Sequence, residues 1–121
     1  MTEEIHYVKA DPSGNTTILV LDAVPKQEHA SLAARLLQPG CVGAEQVGFL
    51  TWPDKDADVR LDMMGGEFCG NASRSAAAYL LSRSGQDHGE YRVSCSGCNK
   101  ILKAVVVRDE GELYDASIEV P

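Results

Sequence analysis

Cys69 stands where a strand and a glycine-rich turn give way to a helix-competent run, in Met64-Gly65-Gly66-Glu67-Phe68-Cys69-Gly70-Asn71-Ala72-Ser73-Arg74-Ser75-Ala76-Ala77-Ala78. A thiol in that position is expected to be acidic. Amide N–H groups of a first helical turn lack intrahelical partners, and with the positive end of the helix dipole they stabilise a thiolate or hold a carboxylate. Gly70 and Asn71 would supply such donors, although Asn71 reads equally well as an N-cap. Cysteine is also a common small buried residue, so packing stands as the alternative role for Cys69.

Other reactive residues are less well placed in sequence. Glu45, in the glycine-rich stretch Gly43-Ala44-Glu45, could orient an amine or side chain or assist proton transfer near Cys69, or be an exposed loop carboxylate. Glu67 carries a weaker signal of the same kind. Arg74, one turn beyond the amide cradle, suits a structural ion pair at least as well as a ligand carboxylate, and is left out of the site. Cys95-Ser96-Gly97-Cys98 has metal-like spacing, but a single pair without a second Cys/His pair reads as the end of a strand and a turn. His6, His29 and His88 fall in a strand, a helix start and a loop without ligand spacing, so no metal site is expected. Cys41 reads as a packing residue.

The elements that must position these groups follow from periodicity. Residues 5–9 and 16–21 read as a strand pair joined by the turn Asp11-Pro12-Ser13-Gly14-Asn15. Residues 28–38 place Ala30, Ala33, Leu36 and Leu37 on one helical face, ended by Pro39-Gly40. Residues 46–52 and 58–63 read as antiparallel strands around the turn Pro53-Asp54-Lys55-Asp56. A second helix, 71–84, is so rich in Ala and Ser that it belongs inside, against a curved sheet that approaches its backbone closely. Strands at 91–94, 101–107 and 113–120 complete an α+β chain.

At 121 residues the chain suits one domain, 1–121, and its apolar runs are of strand length, too short to span a bilayer. The first seven residues lack the basic-then-apolar order of a secretion signal, which implies a cytoplasmic protein with reduced cysteines. A formal charge of −7 disfavours nucleic acid and anionic membrane surfaces as partners, leaving a small molecule or another protein. The chain stops at Val120-Pro121 directly after a strand, as though a neighbouring element followed, and a natural terminus fits equally.

The segment from Gly66 to Ser75 resembles the first-cysteine motif of the diaminopimelate epimerase family of cofactor-independent amino-acid racemases and epimerases. Ser13-Gly14-Asn15-Thr16 resembles that family's glycine-asparagine turn, and Val42-Gly43-Ala44-Glu45-Gln46-Val47-Gly48-Phe49 its glycine-rich segment after the first helix. The resemblance implies a protein of two similar halves, each a mostly antiparallel curved sheet around a central helix, here with one further outer helix. The active site would lie between the halves, with one catalytic cysteine from each. Only the first half is matched here. Cys69 would be one of two acid/base residues, Gly70 and Asn71 would bind the substrate α-carboxylate, and Asn15 would contact the substrate. No cofactor is implied.

The implied chemistry is coherent. Inverting an α-carbon without pyridoxal or flavin needs a base on one face and an acid on the other, so the second residue would come from a C-terminal half or a second chain. The chain alone would be inactive, and its uncovered face would favour self-association. Leu61-Asp62-Met63-Met64-Gly65-Gly66 stands where diaminopimelate epimerases carry an Asn-Ala-Asp-Gly-Ser-type stretch, and the Gly-Gly-Glu-Phe-Cys-Gly-Asn-Ala-Ser form is more similar to the branch containing histidine racemases of opine-type metallophore biosynthesis. The alternatives are a diaminopimelate epimerase, a phenazine-biosynthesis-like isomerase, which would use a carboxylate where this chain has Cys69, and a non-catalytic carboxylate-binding module.

Overall fold

Short alternating strands separated by two helical segments assemble into a single sheet in a computed structural model that describes residues 4–53 and 56–121. The strands are β1 (Tyr7–Ala10), β2 (Thr17–Val20), β3 (Gln46–Thr51), β4 (Val59–Met63), β5 (His88–Cys95), β6 (Ile101–Glu110) and β7 (Leu113–Ile118), and the helices are α1 (His29–Leu36) and α2 (Gly70–Ser84). A short 3-10 turn, Lys26–Glu28, leads into α1. Strand order in the sheet follows chain order. β2 pairs parallel with β3 across α1, and β4 parallel with β5 across α2, while the four other neighbouring pairs are antiparallel. Each parallel pair needs a long crossover, and a helix supplies it.

The sheet curls around α2, which touches β2, β4, β5, β6 and β7. Small residues make this possible: Ala72, Ser73, Ser75, Ala76 and Ala77 are buried, with Leu81 as the large anchor near the far end. Gly85 ends the helix at φ 76°, the left-handed cap that glycine takes without steric penalty. The inner core joins this helix to Leu19, Leu50, Leu61, Val93, Leu102, Ala104 and Val106. Burying each large aliphatic side chain contributes about 1.5–3 kcal/mol.

On the outer face, α1 packs on Ile18, Val20, Val47 and Phe49. His29 is buried there and stacks on Phe49, ring centroids 3.8 Å apart, while its Nε2–H donates to the Val24 carbonyl. Two-residue alternation thus sorts β2 and β3 cleanly: Ile18, Val20, Val47 and Phe49 face out, and Thr17, Leu19, Gln46, Gly48 and Leu50 face in.

Several expectations need correction. Ala30 is exposed, and α1 buries Leu32 with Ala33 instead; apolar residues cover more than one face of this helix, and contact with β3 selects Leu32. Cys41 is exposed rather than packed, because it lies in the loop after the helix stop at Pro39-Gly40. His88 begins β5 rather than lying in a loop, paired with Val107. Cys95 closes β5, followed by the turn expected for Cys95-Ser96-Gly97-Cys98. Met1 to Glu3, read for a secretion signal, and Asp54 and Lys55, read as turn residues, lie outside the described residues. Among the described residues no helix is long and apolar enough to cross a membrane.

Candidate active site

The parallel register Thr17↔Gln46 and the antiparallel register Gly48↔Met63 bring the starts of β2 and β3 and the finish of β4 to one end of the sheet. The chain leaves β4 through the turn at residues 64–66 and enters α2 at that same end. Cys69 is the N-cap of α2, extended at φ −135° and ψ 111°, and its side chain accepts the N–H of Ala72 at 3.4 Å. The first intrahelical bond follows from Ser73 N–H to the Cys69 carbonyl at 3.0 Å. The earlier donors, Gly70 and Asn71 N–H, belong to the first helical turn and have no intrahelical acceptor.

A second donor reaches the sulfur from β3. Gln46 Nε2 lies 3.3 Å from Cys69 Sγ and 2.8 Å from Thr17 Oγ1. The Thr17 hydroxyl donates its own proton to the Asn15 carbonyl at 3.0 Å, so its oxygen must accept from Gln46. That fixes which end of the amide faces Thr17, and leaves the other Nε2 hydrogen for the sulfur. Gln46 Oε1, 3.6 Å from Sγ, is placed to accept from the protonated thiol. The amide therefore offers a partner to both protonation states of Cys69.

Each residue singled out in sequence has a definite place. Cys69, Gly70 and Asn71 are half-buried at the start of α2. Asn71 Oδ1 accepts from Arg74 Nη2, so the arginine kept out of the site holds an asparagine within it. Asn15 is half-buried and joined to the sulfur through Thr17 and Gln46. Glu45 N–H donates to the Thr16 carbonyl at 2.9 Å, which sets the residue beside this end of β2. Its carboxylate is exposed and bonds to none of the other site residues among those described. A cleft of about 660 Å³ between β1 and β7, floored by α2 at Arg74, Ala78 and Tyr79, does not include Cys69 in its lining.

Gln46 escaped the reading of the sequence. Its signal was parity: a polar residue two positions before Gly48 and four before Leu50 shares their inward face once the face of β3 is known. Elsewhere, burial pushes the Cys95 thiol up. All four cysteines are free.

A curled seven-stranded α+β half-barrel with a helix-capping cysteine at one end of its sheet defines the class. The family model described as the histidine racemase CntK N-terminal domain matches residues 4–121, and the chain belongs to that family. It is 38% identical over 104 residues to a histidine racemase of Staphylococcus aureus, covering 84% of this chain and 38% of that protein. It is also 38% identical over 124 aligned positions to a histidine racemase of Fusobacterium nucleatum, covering 97% of this chain and 43% of that protein. The chain thus spans about two fifths of the length of these curated relatives.

Proposed function

We propose that residues 1–121 form the N-terminal half of a cofactor-independent amino-acid racemase with a diaminopimelate-epimerase-like fold, acting on histidine. The observation that carries this reading is the Cys69 sulfur at the start of α2, met by the Gln46 amide and the Ala72 N–H at 3.3 and 3.4 Å. Histidine is favoured because the relatives bear that name. The free cysteines and acidic charge suit work in the cytoplasm.

Cys69 as thiolate takes the α-proton from one face of the bound amino acid, leaving its electron pair on the α-carbon. An acid on the facing wall, from a C-terminal half or a second chain, returns a proton to the opposite face and inverts the centre. The roles exchange for the reverse direction. Gly70 and Asn71 N–H hold the substrate carboxylate, as a helix N-terminus holds an anion, and stabilise the charge that develops during deprotonation. Gln46 donates to the sulfur while it is a thiolate and accepts from it once it is protonated, so neither state lacks a partner. Asn15 and Glu45 flank the substrate from the β1–β2 turn and the entry to β3. Closure of the facing half excludes water and strengthens each of these contacts.

The test is racemisation of L-histidine by the protein that carries this chain, in deuterated water. Deuterium enters the α-carbon as the D-isomer forms, and Cys69→Ser lowers that turnover by about 10²–10⁴-fold. Unchanged turnover by the variant removes Cys69 from the mechanism. Robust turnover by residues 1–121 alone removes the need for a C-terminal half.

A further inference from the structure

We propose that Cys95, Ser96 and Gly97 clamp the backbone of Glu67, Phe68 and Cys69 and act as positioning residues for the Cys69 sulfur. The proposal rests on the reading of Cys69 as an acid/base residue. It assigns a use to the Cys95-Ser96-Gly97-Cys98 stretch, in which Cys95 contacts Ser73 and the Cys98 thiol donates to the Lys100 carbonyl.

Three contacts converge on one short segment. The buried Ser96 hydroxyl accepts the Met63 N–H at 2.9 Å and donates to the Glu67 carbonyl at 2.7 Å, tying the end of β4 to the approach to Cys69 with one oxygen. Gly97, at φ 72°, lies against the next peptide: a Cβ there would fall 2.4 Å from Phe68 N and 2.8 Å from Glu67 C. Both the space and the left-handed backbone demand glycine. Ser73 Oγ gives its single proton to the Cys69 carbonyl at 2.8 Å, so in the contact between Ser73 Oγ and Cys95 Sγ, 3.2 Å apart, Cys95 is the donor. Burial pushes the Cys95 thiol up, which keeps that donor protonated.

The clamp matters because the place of Cys69 Sγ is set by the backbone that carries it. The sulfur meets Gln46 Nε2 at 3.3 Å and Ala72 N at 3.4 Å, ordinary lengths for a sulfur acceptor, and a misplaced segment turns it away from the reacting carbon while leaving the fold intact. Ser96 and Gly97 stand at the turn after β5, whereas Gln46 starts β3. They touch the chain that carries the sulfur and need not touch substrate.

The test compares Ser96→Ala and Gly97→Ala with Val106→Ala, a cavity in the inner core on β6, in the protein that carries this chain. Stability is measured for each by urea unfolding, and all are assayed far below their midpoints. In the two clamp variants kcat for L-histidine racemisation falls roughly 10- to 100-fold with KM nearly unchanged, the signature of a misplaced reacting group. The rate of Cys69 alkylation falls with it, while Val106→Ala loses stability and keeps both rates. Clamp variants that lose no more kcat or alkylation rate than Val106→Ala overturn the proposal, and Ser96→Ala, which adds no atoms, decides it should Gly97→Ala not fold. Full turnover by Cys69→Ser in the same series overturns the underlying reading of the sulfur, a separate result from failure of the clamp.

Discussion

The side chain of Gln46 crosses from β3 to the start of α2, 23 residues further along the chain, and sets its Nε2 3.3 Å from Cys69 Sγ. The contact depends on pairing that local sequence does not encode. Thr17 and Gln46 are register partners in the parallel β2–β3 pair, and Thr17 turns the glutamine amide so that a hydrogen remains for the sulfur.

Replacing Gln46 by Met keeps the bulk and removes the amide. The expected result is a fall in kcat of roughly 10- to 100-fold, the scale of losing one donor aimed at a charged reacting group. Cys69 alkylation at neutral pH should slow in the same variant. Racemisation kinetics and thiol mass spectrometry on the protein that carries this chain check both, and unchanged rates would reduce Gln46 to a structural link with Thr17.

The exposed pair His6 and Asp22 ties the approach to β1 to the end of β2, with His6 Nδ1 at 3.0 Å from Asp22 Oδ1 and His6 N–H at 2.6 Å from Asp22 Oδ2. The hydrogen bond to Asp22 raises the His6 pKa above its ordinary 6.5, so the stability it contributes is full below that value and lost as pH rises through the raised one. The His6 N–H, then its ring, lower the Asp22 pKa below 3.8, so that contribution is present above 3.8 and lost as pH falls through the lowered value. Asp22→Asn should therefore lower the melting temperature most at about pH 5.5 and least at about pH 8.5, by a small, salt-screened amount. An equal penalty at both pH values would contradict this charge linkage.

Cysteine accessibility supplies a third test. Cys41 is exposed and Cys95 is buried with its thiol pushed up, so alkylation of the native protein should label Cys41 early and Cys95 only on unfolding. Peptide-resolved mass spectrometry reads the order. Early labelling of Cys95 would mean that β5 and α2 are not packed as described.

Much of this fold was legible because its signals are local. β-branched content marks β2, apolar–polar alternation marks β4, the Ala/Ser run marks α2 as an inner helix, and glycine on both sides of Cys69 marks the strand-to-helix turn. What escaped depends on which face of an element meets which neighbour. In β3 both faces are buried, so sequence alone did not show whether Gln46 or Val47 turned inward. In α1 apolar residues at 30, 32, 33, 34 and 36 spread around the helix, and only docking on Phe49 and Val47 selects Leu32 over Ala30. Ser96 escaped because a strand-and-turn reading of Cys95 to Cys98 does not show where its hydroxyl points, and that buried hydroxyl bonds to backbone atoms of residues 63 and 67.

The most direct measurement is α-hydrogen exchange on L-histidine in deuterated water, comparing the protein that carries this chain with its Cys69→Ser form. Loss of a positioned acid/base group predicts a decrease of about 10²–10⁴-fold in racemisation, with the variant still folded. Retention of full exchange and racemisation after the sulfur is removed would contradict the central role given to Cys69.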